Sequence, residues 1–297
     1  MKSGFIALSG RPNVGKSTLL NKLVKEKVAI VSEKPQTTRD RIKGILTKNN
    51  TQYVFIDTPG IHKPKHLLGE NLTKNAISVL KEVDVVLMIL DGTQEIGRGD
   101  QFVFERIKES KARNTAAIIN KIDKLTDEQI DEKRIEIGEK LGEFDKIYSV
   151  SAEYGINIAE LLEELKLFFI DEVMYYPEDM YTDMPMYKMI TEIIREKILK
   201  NTEQEIPHSV AIEIIDVKKR GNSKDCYDVN IYLEKKSQKG ILIGKNGAML
   251  KKIGTEARND IENLLEKEIF LNLWVKVKDK WRKNKPFLAE MGYIIKD

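Results

Sequence analysis

Eight residues near the start of the chain, Gly10-Arg11-Pro12-Asn13-Val14-Gly15-Lys16-Ser17, constrain the fold more than any other stretch. An apolar run, Phe5 to Leu8, precedes them, and a helix-like stretch from Thr18 to Leu23 follows. Strand, glycine-bracketed loop, Lys-Ser and helix make up the P-loop arrangement. Gly10 and Gly15 let the backbone curl until successive N–H groups point into one anion-sized hollow. The helix beginning near Lys16 adds the positive end of its dipole. Lys16 can reach the β- and γ-phosphate oxygens, Ser17 can ligate Mg²⁺, and Thr18 lies in the first helical turn. The competing reading is an ordinary glycine-rich turn between a strand and a helix. The loop by itself implies a nucleoside triphosphate and leaves the base open.

Five apolar runs recur between helical stretches: Phe5 to Leu8, Tyr53 to Ile56, Val83 to Leu90, Thr115 to Ile119 and Ile147 to Val150. The alternation predicts an α/β domain with a mainly parallel sheet and helices on both faces. Ligands of such sheets sit beyond the carboxyl ends of the strands. Three further motifs fall there. Asp57-Thr58-Pro59-Gly60 follows one strand, where a carboxylate can hold a metal-bound water and the Gly60 N–H can meet a γ-phosphate. Asn120-Lys121-Ile122-Asp123 closes another. The Asp123 carboxylate can accept from guanine N1–H and the exocyclic amine together, a donor pair adenine lacks, and the Lys121 stem can lie over the base. Ser151-Ala152-Glu153 ends a third strand and offers a backbone N–H to guanine O6. Between them, Lys34 to Asp40 has no apolar period and reads as a loop leading into the alternating strand Arg41 to Leu46. Its Thr38 is a second hydroxyl candidate for Mg²⁺, so Ser17, Thr38 and Asp57 form the expected metal set.

These motifs, in this order, resemble the translation-factor-related branch of the Ras-like GTPases over roughly the first 170 residues. Ile61 stands where many relatives have a glutamine that orients the attacking water. The departure predicts slow hydrolysis with water positioned by other means. The resemblance implies that Asn13 supports K⁺ beside the phosphates. Lys16, Thr38, Gly60 and Asn13 are therefore the expected catalytic set, with Gly10 to Thr18, Asp57 to Ile61, Asn120 to Asp123 and Ser151 to Glu153 binding nucleotide. His62 and His66, four apart with Pro64 between, read as solvated loop histidines rather than a zinc pair.

A helix-like run, Ile158 to Leu165, closes the first domain, and Tyr175-Tyr176-Pro177 breaks the pattern. The division expected is a G domain over 1–173, a linker over 174–185 and a second domain over 186–297. From Met180 onward there are 23 Lys/Arg against 18 Asp/Glu, an excess that the first part lacks. That asymmetry points to a polyanion partner, although a solvated lysine surface also fits it. A helix around Ile190 to Ile198 leads to strands at Val210 to Val217 and Tyr227 to Leu233, joined by a basic turn over 218–224. Then come Ile241-Leu242-Ile243, Gly244-Lys245-Asn246-Gly247, a helix from Ala248 to Glu266 and a strand near Ile269 to Val277. Gly244 to Gly247 resembles the GXXG loop that clamps single-stranded RNA in KH domains. A plain helix–turn–helix corner is the alternative. The order αββααβ resembles the type II, bacterial KH fold, so Ile241, Ile243, Gly244 to Gly247 and Lys251 are the expected RNA contacts. Trp281, among cations at the end of the chain, can either stack on a base or pack beneath the last strand.

A G domain followed by a type II KH domain resembles the Era family of GTPases. The resemblance implies binding near the 3′ end of 16S rRNA, a part in 30S subunit assembly, and a cytoplasmic protein with peripheral association at the inner membrane. It implies no obligate protein partner. Tyr187 and Lys188 replace an expected Arg-Phe pair, so family contacts there do not carry over. Two other classes stay open: a nucleotide-binding RNA chaperone without turnover, and a GTP-gated membrane-associated regulator. The single cysteine, Cys226, forbids an intramolecular disulfide and reads as a packed apolar residue. Met1 lies close to the first strand, so no secretory signal is expected there.

Overall fold

The computed structural model describes the chain except residues 33, 35, 36, 40, 62, 63, 65, 66, 204, 205, 219–223 and 294–297, and only the backbone of residue 208. Gln36, His62 and His66, and most of the basic turn after Lys218, therefore lie outside the described residues. The chain divides between Asp183 and Met184 into two compact units.

The first unit runs β1 (Lys2–Ser9), α1 (Lys16–Val24), β2 (Ile42–Lys48), β3 (Thr51–Asp57), α2 (Leu67–Val79), β4 (Val85–Asp91), α3 (Arg98–Ser110), β5 (Thr115–Asn120), α4 (Asp127–Lys140), β6 (Lys146–Val150) and α5 (Ile158–Leu165). Its six-stranded sheet has the order β2-β3-β1-β4-β5-β6, parallel everywhere except β2 against β3. β3 and β4 are buried along their whole length, as expected of strands covered on both faces. The β2–β3 hairpin turns on Asn49 and Asn50, both at positive φ (50° and 57°), which asparagine tolerates and a two-residue hairpin requires. β1, β3, β4, β5 and β6 end on one edge, and Ser9, Asp57, Asp91, Asn120 and Val150 all reach it. The loops beyond that edge carry the expected motifs.

The second unit runs α6 (Met186–Asn201), α7 (Ile206–Ser209), β7 (Ala211–Lys218), β8 (Asp225–Leu233), α8 (Lys236–Ile243), α9 (Ala248–Leu265), β9 (Ile269–Val277) and α10 (Lys285–Glu290). Its sheet has the order β7-β8-β9, with β7 antiparallel and β9 parallel to β8. One face of the sheet and the inner sides of α6, α8 and α9 share a core that includes Ile194, Ile198, Val229, Ile231, Leu242, Ile253 and Ile261. Beyond β9, Trp281 is fully buried and donates its Nε1–H to the Ser209 carbonyl at 2.8 Å, with Phe287 edge-on to its ring. An indole whose N–H has a partner is stable inside a core. The stacking alternative for Trp281 is thereby corrected: this ring closes the second unit and is unavailable to a base. Among the described residues, no helix is long and apolar enough to cross a membrane.

Candidate nucleotide and nucleic-acid sites

In the first unit the P-loop wraps the start of α1. Gly15 has φ 99°, a backbone region costly for any residue with a side chain, and a Cβ there would stand 2.2 Å from Asn120 Nδ2. Glycine is required at this position because the base motif leans directly on the loop. Lys16 is buried, and its Nζ donates to the loop's own carbonyls at Arg11 (2.8 Å) and Gly10 (3.2 Å). Burial lowers its pKa to about 8, with the opposite charge of Asp57 resisting.

Three oxygens converge beside it. Ser17 Oγ donates to Asp57 Oδ2 at 2.7 Å, Thr38 Oγ1 donates to the same atom at 3.0 Å, and the two hydroxyls lie 3.0 Å apart. Asp57 is fully buried, its pKa raised by that burial against the pull of Lys16, Ser17 and Thr38. Its other oxygen, Oδ1, is buried without a hydrogen-bond partner among the described residues. Hard oxygen ligands, one of them an unpartnered carboxylate oxygen, suit Mg²⁺. A cavity of about 420 Å³ opens over this cluster, lined by Pro12, Asn13, Lys16, Thr37, Gly60 and Lys121 among others.

The base motif forms the adjoining cavity of about 270 Å³. Asn120 is structural within it: Nδ2 donates to the Val14 carbonyl (2.8 Å), and Oδ1 accepts from Ala152 N–H (3.0 Å), so one buried side chain joins three loops. Of the backbone N–H groups that Ser151 to Glu153 could offer a base, that of Ala152 is thus engaged by Asn120. Asp123 accepts from Ser151 Oγ at 2.5 Å, which fixes one carboxylate oxygen and the orientation of the other. Glu153 lines both cavities.

Several expected binding residues sit behind the pocket. Ile61 is fully buried in the sheet's core with Ile56 and Met88, so it reaches no ligand through its side chain. Val14 is buried, Thr58 spends its hydroxyl on the Leu8 carbonyl (2.9 Å), and Ile122 packs on the core. Arg11 turns away to Asp100 at 2.7 Å. These residues shape the loops from beneath. Asp91, which ends β4 and takes Lys121 Nζ at 2.5 Å, escaped the sequence reading. The strand-end rule that picks out Asp57 and Asn120 applies to it equally.

In the second unit, α8 stops at Gly244, whose φ of 74° and ψ of 176° lie outside the helical range. A Cβ at Gly244 would approach Met249 Cβ to 2.7 Å, so glycine is needed for both conformation and space. Lys245 and Asn246 are exposed, and α9 begins after Gly247. A groove of about 420 Å³ runs between α9 and β9, lined by Gly247, Leu250, Lys251, Gly254, Thr255, Arg258 and residues 270–273. Its two cations and half-exposed Phe270 offer charge and a ring to a nucleic acid strand. Ile241 is exposed and Ile243 packs partly into the core, and neither lines this groove. The far wall on β9 and the stripe Leu250, Gly254 and Arg258 were missed. Gly254, a glycine inside an 18-residue helix, was a readable signal, since that placement costs helix stability and marks a close approach.

Residues 5–121 match the sequence pattern of the 50S ribosome-binding GTPase family, and residues 205–282 match that of the KH domain. A GTPase Era from Fusobacterium nucleatum is 60% identical over 294 residues, with 99% of each chain covered. One from Clostridium botulinum is 49% identical over 295 residues, with 98% of each covered. Among solved structures, a variant of Aquifex aeolicus Era bound to GDP and AlF4⁻ superposes with a TM-score of 0.94 at 36% identity, covering 99% of this chain and 100% of that one. An Era complex with MgGDPNP and nucleotides 1506–1542 of 16S ribosomal RNA gives 0.95, with the same identity and coverage.

Proposed function

This chain belongs to the Era family of GTPases, and on that premise we propose that it is a GTP-hydrolysing switch that binds the 3′ region of 16S rRNA and assists 30S subunit assembly. Residues 1–173 form the G domain in this reading, 174–185 the linker and 186–297 the KH domain. The observation that carries the enzymatic part is the convergence of Ser17, Thr38 and Asp57, with Asp57 Oδ1 unpartnered beside the P-loop lysine. Those three residues would hold Mg²⁺, which supplies charge neutralisation at the β- and γ-phosphates. The remaining work falls to the chain. Lys16 donates to phosphate oxygens in place of the loop carbonyls it now holds. The N–H groups of the P-loop orient the phosphates, and Asp123 and Lys121 fix the base.

Ile61 lies in the core, so its side chain cannot orient the attacking water, and among the described groups the Gly60 N–H is placed to do so. The lack of a water-orienting glutamine at this position supports slow turnover. Asn13 lines the phosphate cavity, and with K⁺ beside it a monovalent charge would assist hydrolysis. Peripheral association with the cytoplasmic face of the inner membrane belongs to the same proposal and rests on the family resemblance.

Coupling between nucleotide and RNA is proposed to run through β2. That strand carries the chain on from Thr38 and Arg39, and its outer edge receives the linker. Ile45 N–H donates to the Tyr181 carbonyl (2.9 Å) and Thr182 Oγ1 to the Lys43 carbonyl (2.7 Å). Lys43 pairs with Asp183 (2.6 Å), and buried Gln52 accepts from the Tyr175 and Tyr176 N–H groups (2.9 and 3.1 Å). A shift of the Thr38 loop is thereby transmitted to the chain leading into the KH domain. Phosphate release from GTP tests the enzymatic reading. Turnover is expected with Mg²⁺, faster in K⁺ than in Na⁺, with the K⁺ response lost in Asn13→Ala. Stoichiometric binding without turnover, with RNA present or absent, would leave only a nucleotide-binding RNA chaperone.

A further inference from the structure

We propose that Asp91 is a positioning residue for guanine-nucleotide retention, holding Lys121 across the base pocket and against the P-loop. In sheet register Asp91 lies directly opposite Asn120, so the end of β4 stands beside the start of the base motif. The contact is close all along the turn. Gly92 N–H donates to the Asn120 carbonyl at 2.9 Å, and a Cβ on Gly92 would meet the same carbonyl oxygen at 2.9 Å.

The two oxygens of Asp91 have separate partners. Oδ1 accepts from Thr93 N–H (3.0 Å) and Thr93 Oγ1 (2.7 Å), which closes its own turn. Oδ2 takes Lys121 Nζ at 2.5 Å, and the same ammonium lies 3.3 Å from the Asn13 carbonyl. Asp91 is almost fully buried, whereas about a third of the Lys121 side chain stays exposed. Burial pushes the Asp91 pKa up, but the bonds from Lys121 and Thr93 outweigh it and hold the carboxyl below its usual range. The site is built to keep a carboxylate charged beneath one lysine.

A lysine stem is long and loses much rotational freedom when it must lie along one path. Anchored by Asp91 at one side and the Asn13 carbonyl at the other, Lys121 already spans the pocket before a nucleotide arrives, as a preorganised wall for the base. The same ammonium ties the base motif to the P-loop. Asp91 itself lines neither cavity and need not touch the ligand.

The inference rests on residues 120–123 being the base site, and the test separates the two. Dissociation of a fluorescent GDP analogue is followed from the full-length protein and its variants. Asp91→Asn, which is isosteric and retains an oxygen for Thr93, is expected to release the analogue about tenfold faster. Lys121→Met should do the same, and the double variant should be no faster than the faster single one, because both remove one interaction. Thr93→Val, which removes only the turn-closing hydroxyl bond, should stay within about twofold of wild type. Multiplying effects in the double variant, or a Thr93→Val effect equal to that of Asp91→Asn, would overturn the proposal in favour of a purely structural turn. If Lys121→Met alone leaves dissociation unchanged, the base-site reading itself fails. Should Asp91→Asn not fold, Asp91→Glu carries the test: its displaced charge must speed release, and wild-type rates would contradict the assignment.

Discussion

The two binding regions are built on opposite principles. In the nucleotide pocket Lys16, Thr38, Asp57, Asn120 and Ser151 are buried, and the polar side chains are already bonded to protein groups: Ser17 and Thr38 to Asp57, Ser151 to Asp123, and Asn120 to the Val14 carbonyl and the Ala152 N–H. In the KH groove the walls are exposed, and the polar groups of Lys245, Asn246 and Lys251 face solvent. The first region suits a small ligand held in one pose by preorganised groups. The second suits a flexible polyanion that is met by charge, by a glycine-tight backbone and by stacking. Substitutions in the pocket should therefore act sharply and specifically, and those in the groove more gradually and with a salt dependence.

The largest expected effect lies in the pocket. Asp123→Asn replaces one of the two oxygens that accept from guanine by an NH2 group facing a guanine donor, and GTP affinity should fall by roughly 10⁴-fold, read by competition against labelled GDP. A loss of only a few fold would mean that the base is read elsewhere. In the groove, Gly244→Asp adds a Cβ where φ is 74° and places a negative charge beside the phosphates. RNA affinity should drop by about 30-fold with GDP affinity intact, since strain and repulsion each contribute about 1 kcal/mol. Unchanged RNA binding would remove the GXXG assignment.

A subtler contrast is in pH. Lys16 in the free protein has a pKa of about 8, and phosphate contact must raise it, so binding takes up a proton above that pH. GDP affinity should be flat below pH 8 and weaken up to tenfold per unit above it. Calorimetry in buffers of different ionisation enthalpy detects the proton directly. The smallest effect concerns the bonds that join α4 to the loop between β4 and α3. Glu136 on α4 accepts from Ile96 N–H at 2.8 Å and pairs with Lys133 and Lys140. Burial opposes its ionisation, but those bonds prevail and lower its pKa to about 2. A depressed carboxyl stabilises the fold above its unfolded pKa and loses that effect as pH falls toward the folded value. Glu136→Gln should cost about 1 kcal/mol at pH 7 in denaturant melts, with the difference closing between about pH 4.5 and 2.

The contrast also decides what could be read from the sequence. The inner parallel strands were visible as apolar runs because both their faces are covered, β6 at the sheet's edge being only partly buried, and the pocket followed because its residues sit at strand ends. Local motifs carry that chemistry, and their spacing is fixed by the sheet. The groove's second wall was hidden because β9, although readable as a strand, begins 22 residues after the GXXG turn and carries no local binding motif. Ile241 and Ile243 read as contacts from adjacency to the turn, and helical geometry leaves the first exposed beside it and packs the second partly into the core. Trp281 among cations read equally as a surface ring or a core ring. Only the position of the Ser209 carbonyl, 72 residues away in the chain, settles it as core.

The linker is where the two regions meet in sequence, and nucleotide state is proposed to reach the groove through it. The most direct measurement is the affinity of the full-length protein for an RNA carrying nucleotides 1506–1542 of 16S ribosomal RNA, made once with GDP and once with a non-hydrolysable GTP analogue. Binding at least about fivefold tighter with the analogue is expected, the lower end of ordinary coupling energies. Equal affinities in the two states would contradict it.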